Sequence, residues 1–209
     1  MLNDGLSGRR RNRQGERTRQ RVLEAAINCL HKSGYGNTSI ESVLTEAGIS
    51  RGSVLNQFPT RLDLMAATAD AAMQVLMADS QARMGETKDP LERIIRHVDV
   101  IWETQNIPAA AALSEILLAA RWDLELAERL KPVIESTEKE IDRLMAGLAT
   151  DAGIKDVAEY QLHVRVLILS MRGIAIESTF DNDRAIMRRA LERFRQMHRR
   201  QCKRLMDPA

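Results

Sequence analysis

The fold is constrained most tightly by residues 38–64, TSIESVLTEAGISRGSVLNQFPTRLDL, where helix starts and stops follow one another closely. Thr38 followed three residues later by Glu41 matches a capping box, in which a hydroxyl and a carboxylate satisfy backbone amides at a helix start. Gly48 can take the left-handed conformation that ends a helix, and Ser50 can cap the next helix. These residues predict two short helices joined by one tight turn.

The second of these helices has a defined end and a successor. It stops before Pro59, because proline disfavours helical geometry in the residue that precedes it. Thr60 and Asp63 form another capping box, which starts a third helix. Two helices of about eight residues bury little by themselves, so they either present the second helix to a DNA major groove or form an ordinary hairpin in an all-helical protein. Their spacing alone favours neither reading.

The N-terminal segment is strongly basic. Residues 1–21 hold seven arginines against Asp4 and Glu16, a net charge of +5. Three glycines and the absence of apolar periodicity predict a flexible basic arm over residues 1–16, which could follow the DNA backbone or enter a minor groove. A solvated tail is the alternative. The position of the arm, directly before the helix-turn-helix segment, favours a role in DNA binding.

The stretch from Arg17 to Met65 resembles the N-terminal DNA-binding domain of the TetR family of bacterial one-component regulators. The resemblance rests on the order and spacing of Ser33-Gly34-Tyr35, Thr38-Ser39, Ala47-Gly48-Ile49-Ser50, Gly52, Phe58 and Leu64. The rest of the chain resembles the family mainly in length and helix content. The resemblance implies a homodimer with a divergent ligand-binding domain, usually a repressor that a small molecule releases from its operator.

Some positions depart from the family pattern. Leu55 stands where the family usually has a tyrosine, so a hydroxyl that binds phosphate is missing. Asn56 and Gln57 stand where aromatic or histidine residues are frequent, and each amide can contact adenine or a phosphate. Leu44 replaces a small residue between the two helices, which predicts wider or tilted packing. Arg61 keeps the positive charge of the usual lysine at the start of the following helix, where we expect a phosphate partner.

These considerations predict which residues meet DNA. Base edges would be read by Arg51, Ser53, Asn56 and Gln57, and phosphates would be held by Thr38, Arg61 and the arginine arm. The full set of predicted DNA-contacting residues is Arg17, Thr38, Ser39, Ser50, Arg51, Gly52, Ser53, Asn56, Gln57 and Arg61.

Composition narrows the class of protein. A chain of 209 residues with 44% hydrophobic residues can form a packed core, and only 3% aromatic residues argue against a single-strand binder that stacks bases. The sequence has neither an apolar run near twenty residues nor a signal peptide, so we expect no membrane association and a cytoplasmic location. Cys29 is predicted to be a core thiol and Cys202 a free surface thiol, and neither a metal nor a cofactor is predicted.

Beyond residue 60 the sequence predicts six helices and no strands. Their ranges are 62–84, 90–106, 108–122, 124–150, 156–178 and 183–205, and Asp89 and Asp156 are expected to cap the second and the fifth of these helices. Pro132 should break or kink the fourth of these. The prediction is therefore an all-α protein of about nine helices, in which a three-helix helix-turn-helix domain over residues 17–64, with a connector helix from about 61, precedes a helical ligand-binding and dimerisation domain over 65–209.

The last two predicted helices differ in character. The helix over 156–178 is apolar on nearly every side and must be covered twice, which predicts that it forms a four-helix bundle with 183–205 and the same pair from a second subunit. The helix over 183–205 is basic, because residues 184–204 carry nine basic residues against Glu192, a net of +8. It could touch DNA, bind an acidic partner or form a solvated face, and its predicted apolar stripe favours the solvated face. This stripe comprises Ile186, Ala190, Leu191, Phe194 and Met197.

A small-molecule site is expected among the helices between residues 62 and 176. Polar residues on otherwise apolar helices, with apolar residues that could form walls, supply the candidates. The predicted ligand-contacting residues are Met77, His97, Trp102, Glu103, Arg121 and Arg172. Trp102 and Glu103 are the pair expected to face the cavity, although a tryptophan at such a position is more often a core residue, a histidine is more often a satisfied or exposed residue than a ligand sensor, and Arg121 can pair with Glu125.

Catalysis is not predicted. The four histidines are widely separated, and the sequence has no H-E-x-x-H, glycine-rich phosphate loop, nucleophile elbow or C-x-x-C. The leading prediction is a homodimeric repressor that binds double-stranded DNA at an inverted-repeat operator and is released by a small-molecule effector. The rival is a helical interaction module that binds RNA or an acidic protein through its basic ends. Preference for palindromic duplex DNA would separate the two.

Overall fold

The computed structural model describes residues 4–52, 57–181 and 184–206, with side chains described from residue 14 onward. These ranges contain helices and loops but no strands, which confirms the all-α prediction. The helices are α1 (Asp4–Asn37), α2 (Ile40–Ala47), α3 (Arg61–Gly85), α4 (Pro90–Thr104), α5 (Pro108–Ala119), α6 (Leu124–Asp151), α7 (Val157–Ser178) and α8 (Ala185–Met206). None of the described helices is long and apolar enough to cross a membrane.

Internal contacts divide the chain into two compact units. The first consists of Met1–Gln74 and Ala111–Val133, and the second of Val75–Ala110 and Ile134–Ala209. This division differs from a single cut after residue 64, because α3, α5 and α6 each contribute residues to both units. Residues 111–133 thus belong to the same unit as the helix-turn-helix segment.

Helix α1 begins earlier than predicted. The structure is helical from Asp4, whereas an irregular arm was expected over residues 1–16. The physical reason is that this segment contains no proline, and the cost of about 1 kcal/mol for each glycine is offset by arginine and glutamine, which favour helices. Near its other end α1 is interrupted at Gly34, whose φ of 74° and ψ of 172° are not helical.

The core of the first unit joins α1, α2 and the start of α3. Val22, Ala26 and Leu30 of α1 are buried, and so are Val43 of α2 and Leu64 of α3. The apolar side chains of these three helices therefore point inward. Burial of such side chains contributes roughly 1.5–3 kcal/mol each, so this core is the main support of the helix-turn-helix segment.

In the second unit α4, α7 and α8 share one core. The buried members of this core include Ile94, Val98, Ile101, Met145, Tyr160, Val164, Leu167, Met171, Cys202 and Leu205. The prediction of Cys202 as a surface thiol is wrong: its side chain is fully buried, and burial raises the pKa of the thiol to about 12. The prediction failed because Cys202 lies among arginines in the sequence. In the structure it shares the inward face of α8 with His198 and Leu205.

The stripe predicted for α8 is only partly buried within the single chain. Leu191 and Phe194 pack against the core, but Ile186 and Met197 are about half exposed, at 56% and 50%. Along α7 the apolar residues Leu162, Val166, Leu169 and Ile176 are exposed as well. The single chain therefore covers only one face of α7, as the sequence predicted for this helix.

The polar residues inside the second unit are satisfied by each other and by the backbone. The Nδ1 atom of His97 lies 3.1 Å from the hydroxyl of Tyr160. His163 Nε2 lies 2.9 Å from His198 Nδ1, and His198 Nε2 lies 2.7 Å from the carbonyl oxygen of Ile94. The rings of His163 and His198 are nearly parallel, with centroids 5.2 Å apart, which fits a hydrogen bond between the edges of the two rings. These contacts connect α4, α7 and α8 inside one core.

Helix α6 continues through Pro132, so the predicted break is absent, while the predicted alternative, a kink, stays a prediction. Proline removes one backbone hydrogen bond, but its φ is compatible with a helix, and the long segments on both sides maintain the conformation. By contrast, the predicted caps at Asp89 and Asp156 are confirmed, since each carboxylate accepts from the amide three residues later.

Candidate DNA interface

Helix α2 is defined by caps at both ends. Ser39 rather than Thr38 is the N-cap: its Oγ accepts from the amide of Ser42 at 3.0 Å, and the Ser42 hydroxyl accepts from the amide of Ser39 at 2.9 Å. The predicted Thr38–Glu41 box is therefore wrong by one residue. At the other end Gly48 has φ 61° and ψ 42°, which confirms the left-handed turn. Arg21 of α1 donates to the carbonyl of Ala47 at 2.7 Å and fixes this end of α2 to α1.

Thr38 and Arg61 connect the turn before α2 to the start of α3. Thr38 is buried, and its hydroxyl donates to the carbonyl of Gly34 at 2.8 Å. The guanidinium of Arg61 donates to the carbonyls of Thr38 and Tyr35 and lies over the Tyr35 ring, 4.1 Å from its centroid. In this structure both predicted phosphate ligands are therefore used internally, and Thr38 in particular is inaccessible.

Gln57 lies against α1 rather than on an open surface. Its Nε2 donates to the carbonyl of Gly15 at 3.3 Å, while its Oε1 is buried and has no hydrogen-bond partner among the described residues. Phe58 beside it is buried, and Arg19 lies over its ring at 4.7 Å. The expected base-reading position of Gln57 thus differs from its position here, because its amide is drawn towards the backbone of α1.

The accessible predicted contacts form a small group. Arg17, Ser50, Arg51 and Gly52 are exposed. Arg51 makes an open ion pair with Glu41, at 3.3 Å between Nη1 and Oε1. Arg51 and Gly52 are helical, whereas the following predicted contacts Ser53 and Asn56, together with Leu55, lie outside the described residues.

Residues 111–133 contact the helix-turn-helix segment near its two ends, at Tyr35 and Asp63. Glu115 of α5 accepts a hydrogen bond from the amide of Tyr35 at 2.8 Å. Arg129 of α6 pairs with both Asp63, at the start of α3, and Glu125. Hydrogen bonds from Thr60 and the nearby Arg129 lower the pKa of the Asp63 carboxyl. The predicted Thr60–Asp63 box is confirmed, but its partner Arg129 was not foreseen, because 66 residues separate it from Asp63.

Three of the predicted ligand-contacting residues, His97, Trp102 and Glu103, make contacts within the second unit. His97 is buried in the core, where burial and then the neighbouring His198 and His163 lower its pKa to about 3. Glu103 pairs with Arg83 at 2.9 Å, and Trp102 packs against the core.

The remaining candidates lie in different environments. Arg121 is exposed and lies 5.8 Å from the centroid of the Trp122 ring. Met77 and Arg172 are half-buried, and burial lowers the pKa of Arg172. Of the six candidates, Arg172 alone combines a desolvated charge with no ion pair among the described residues.

Comparison with known proteins extends this picture. Residues 22–68 match the family model described as bacterial regulatory proteins, tetR family. The chain is 27% identical over 179 residues to the HTH-type transcriptional regulator CymR of Pseudomonas putida, covering 84% of this chain and 87% of that protein.

Solved structures share the fold. SCO4454, a TetR-family transcriptional regulator from Streptomyces coelicolor, superposes with a TM-score of 0.66 at 18% identity, over 91% of this chain and 96% of that one. A protein described as the multidrug binding protein EbrR, complexed with imidazole, superposes with a TM-score of 0.55 at 23% identity, over 84% and 88% of the two chains. At these identities the likeness concerns the fold.

Proposed function

Because residues 22–68 place this chain in the TetR family of bacterial regulatory proteins, we propose that it is a homodimeric repressor that binds an inverted-repeat operator and is released by a small-molecule ligand. The observation that carries the proposal is the turn between α2 and Arg51. Helix α2 is capped at both ends, and Gly48 turns the chain in the left-handed conformation. A second helix then starts at Arg51, and residues Ser50 to Gly52 are exposed. That is the arrangement a major groove can accept.

Arg51 is the proposed base-reading residue. Its ion pair with Glu41 is exposed on both sides, so it contributes less than about 1 kcal/mol and can be exchanged for a guanine edge. Ser53 and Asn56 are proposed to contact the same groove. Arg17 is proposed to bind a phosphate, because it is exposed and has no ion pair in the described part of the chain.

The dimer is proposed to form through α7 and α8. The exposed apolar residues Leu162, Val166 and Leu169 recur at spacings of four and three residues, which places them on one side of α7. Ile186 and Met197 add exposed apolar surface on α8. Removing such an apolar face from water favours association of two chains. A twofold pairing would present two recognition helices to two half-sites.

The ligand is proposed to bind within the helices between residues 62 and 176. EbrR, a multidrug binding protein complexed with imidazole, shares the fold and supports a small organic ligand for this chain. Release requires that the ligand bind more tightly to the conformation that does not fit the operator. Met77, Trp102 and Arg172 remain proposed contacts, whereas His97 and Glu103 would first have to leave the partners they have here.

Selection of random duplex DNA by the purified protein tests the proposal. Enrichment of an inverted repeat that Arg51→Ala no longer selects would support it, because loss of a base contact relaxes sequence preference. Lys139→Ala is the control, since this lysine is an exposed cation on α6. Binding that depends on salt but enriches no motif would contradict it and favour an interaction module for RNA or an acidic protein.

A further inference from the structure

Helix α8 carries exposed cations that the fold does not use. On α6, three cations each have an acidic partner three or four residues away: Arg129 with Glu125, Lys131 with Glu128 and Arg143 with Glu140. On α8, by contrast, the exposed cations without an ion pair to any described residue are Arg189, Arg193, Arg199, Arg200 and Lys203. We call these five residues the cationic stripe.

The single acidic residue of this segment does not balance the stripe. Glu192 is the only carboxylate between residues 184 and 204, and its Oε2 lies 3.7 Å from Arg195. Arg195 also donates to Asp99 of α4 at 2.7 Å and so belongs to the contact between α4 and α8. The stripe therefore keeps an uncompensated positive charge, which is unlike the mixed charges of a helix face that only needs to be solvated.

The stripe is separate from the faces of α8 that pack. With 3.6 residues per turn, positions 189, 193, 200 and 203 fall within an arc of roughly 80°, and Arg199 lies about 40° beyond the edge of this arc at Lys203. The buried residues His198 and Cys202 lie on the opposite side of the helix, and the exposed apolar residues Ile186 and Met197 lie between the two. A dimer formed through the apolar residues would border the stripe on the side of Arg193 and leave its other side, with Arg200 and Lys203, accessible.

The residue types of the cationic stripe indicate which kind of polyanion it binds. Four of its five members are arginines, whose planar fork binds phosphate oxygens in pairs, and it contains no aromatic side chain on which unpaired bases could stack. It also has no apolar residue within its arc that could insert into a lipid surface. From residue 189 to 203 it extends about 21 Å at 1.5 Å per residue, which matches about six base pairs of a duplex.

We propose that the cationic stripe of α8 is a second DNA-binding surface, which holds the phosphate backbone of duplex DNA without reading its sequence. The inference rests on the proposed function only in that the repressor brings the protein to DNA. A second contact raises the local concentration of duplex around a bound dimer and slows complete dissociation.

The test is binding of the full-length protein to a fluorescent 30-base-pair duplex without an operator, between about 50 and 200 mM salt. In the variant R189Q/R193Q/R200Q/K203Q we expect about tenfold weaker binding at 100 mM salt and a logarithmic salt slope that is shallower by about three. The matched control is K131Q/K139Q/R143Q/K155Q, which removes four exposed cations elsewhere and should change binding less than twofold. Equal weakening in both variants would show an effect of net charge alone and overturn the proposal.

Two more measurements address the folding of the variants and the identity of the partner. The half variants R189Q/R193Q and R200Q/K203Q, compared by circular dichroism and thermal unfolding, should each show an intermediate loss of binding without loss of fold. Competition with polyglutamate or with duplex RNA of the same length identifies the partner: displacement of DNA at a tenfold lower charge concentration by either would assign the stripe to an acidic protein or to RNA instead.

The outcome is distinguishable from that of the repressor proposal. The stripe variant should still enrich the inverted repeat that the wild-type protein selects, and Arg51→Ala should keep the stripe-dependent affinity while losing the motif. Absence of any motif together with a stripe-dependent affinity would remove the repressor function and leave the stripe. Enrichment of a motif together with unchanged non-operator binding in the stripe variant would support the repressor function and overturn the second DNA-binding surface.

Discussion

Glu115 accepts a hydrogen bond from the backbone amide of Tyr35, 80 residues earlier in the chain, at 2.8 Å. Tyr35 follows Gly34, where α1 loses its helical conformation. A Cβ atom at position 34 would lie 3.1 Å from the Glu115 carboxylate. The amides that lack a partner within a helix are those of its first turn, and the break at Gly34 makes Tyr35 the first residue after it. The Glu115 carboxylate therefore supplies a hydrogen-bond acceptor that α1 does not offer to the amide of Tyr35.

We expect Glu115→Ala to lower the free energy of unfolding by about 1–2 kcal/mol, because a partly buried amide loses its charged acceptor. Glu115→Gln keeps an acceptor oxygen and should lose less than half of that. Urea unfolding measures both, with Glu128→Ala, an exposed position on α6, as the control. Equal losses for Ala and Gln would show that the hydrogen bond contributes nothing.

Gly34→Ala separates backbone strain from crowding by Glu115. The combination of φ 74° and ψ 172° is open almost only to glycine, so alanine should cost about 1–3 kcal/mol. If strain dominates, the same cost should appear in the Glu115→Ala background, where the carboxylate is absent. A cost that disappears in the double variant would instead attribute the effect to the 3.1 Å contact.

Arg61 is expected to act as a brace for the turn before α2 as well as a cation. Its guanidinium donates to the carbonyls of Tyr35 and Thr38 while stacking on the Tyr35 ring, and a lysine ammonium cannot reproduce this geometry. We expect Arg61→Lys to lose more than half of the roughly 1–2 kcal/mol that Arg61→Ala loses in urea unfolding. Full recovery of stability by lysine would contradict the bracing role.

DNA binding by the same variants reports on the other role. If Arg61 also contacts a phosphate in the complex, lysine should keep the salt slope of the wild-type protein, and alanine should flatten it by about one unit. Arg17→Ala is the comparison, since Arg17 is an exposed cation on α1 that makes no ion pair in the described residues. Its expected effect is on the slope alone, without a change in stability.

The histidine pair of the second unit makes its stability depend on pH. His198 Nε2 faces a carbonyl and so carries the hydrogen, which leaves Nδ1 as the acceptor for His163 Nε2. Burial, chiefly, lowers the pKa of His198 to about 4 and also lowers that of His163. Asp99 is the acidic neighbour that opposes this shift, and Arg195 is paired with it.

The sign of the pH effect follows from these shifts. A histidine with a lowered native pKa binds a proton more readily in the unfolded chain, so its stabilising contribution is complete above about pH 6.5 and is lost as the pH falls towards the native pKa. Between pH 6.5 and 4.5 we expect about 2–3 kcal/mol of loss through His198. Chemical unfolding across this range should show a shallower dependence in His198→Gln, whereas the exposed His31→Gln should follow the wild-type protein.

Local signals in the sequence were sufficient for most of the fold. Gly48, the Thr60–Asp63 box and the aspartate caps depend on residues within four positions, and all are present. The N-cap of α2 was misplaced because Thr38 and Ser39 are both competent caps. Burial of Thr38 decides between them, and only tertiary structure reveals it.

Contacts across long separations could not be predicted in the same way. Nothing in the local pattern distinguishes Glu115 or Arg129 from other charged helix residues, and their partners are known only once α5 and α6 are placed. Cys202 and His198 were hidden by the arginines around them, although their spacing of four residues would have indicated a shared inward face. The groove-reading residues remain predictions, since Ser53 and Asn56 lie outside the described part of the chain.

Leu169 offers the most direct test of the proposed dimer. It is 58% exposed on α7, on the side opposite the buried Leu167 and Met171, and lies near Val166, which is 49% exposed. We expect Val166→Glu/Leu169→Glu to shift the protein from dimer to monomer in light scattering at micromolar concentration, because charges would face each other across a twofold interface. The control Trp122→Glu alters an apolar side chain that is 85% exposed but lies outside α7 and α8, and this variant should remain dimeric.

The monomeric variant should bind an isolated half-site as the wild-type protein does, yet lose at least about tenfold in affinity for the inverted repeat, since two linked contacts become one. A protein that is monomeric before any substitution, or a variant that remains dimeric, would exclude this face of α7 as the interface.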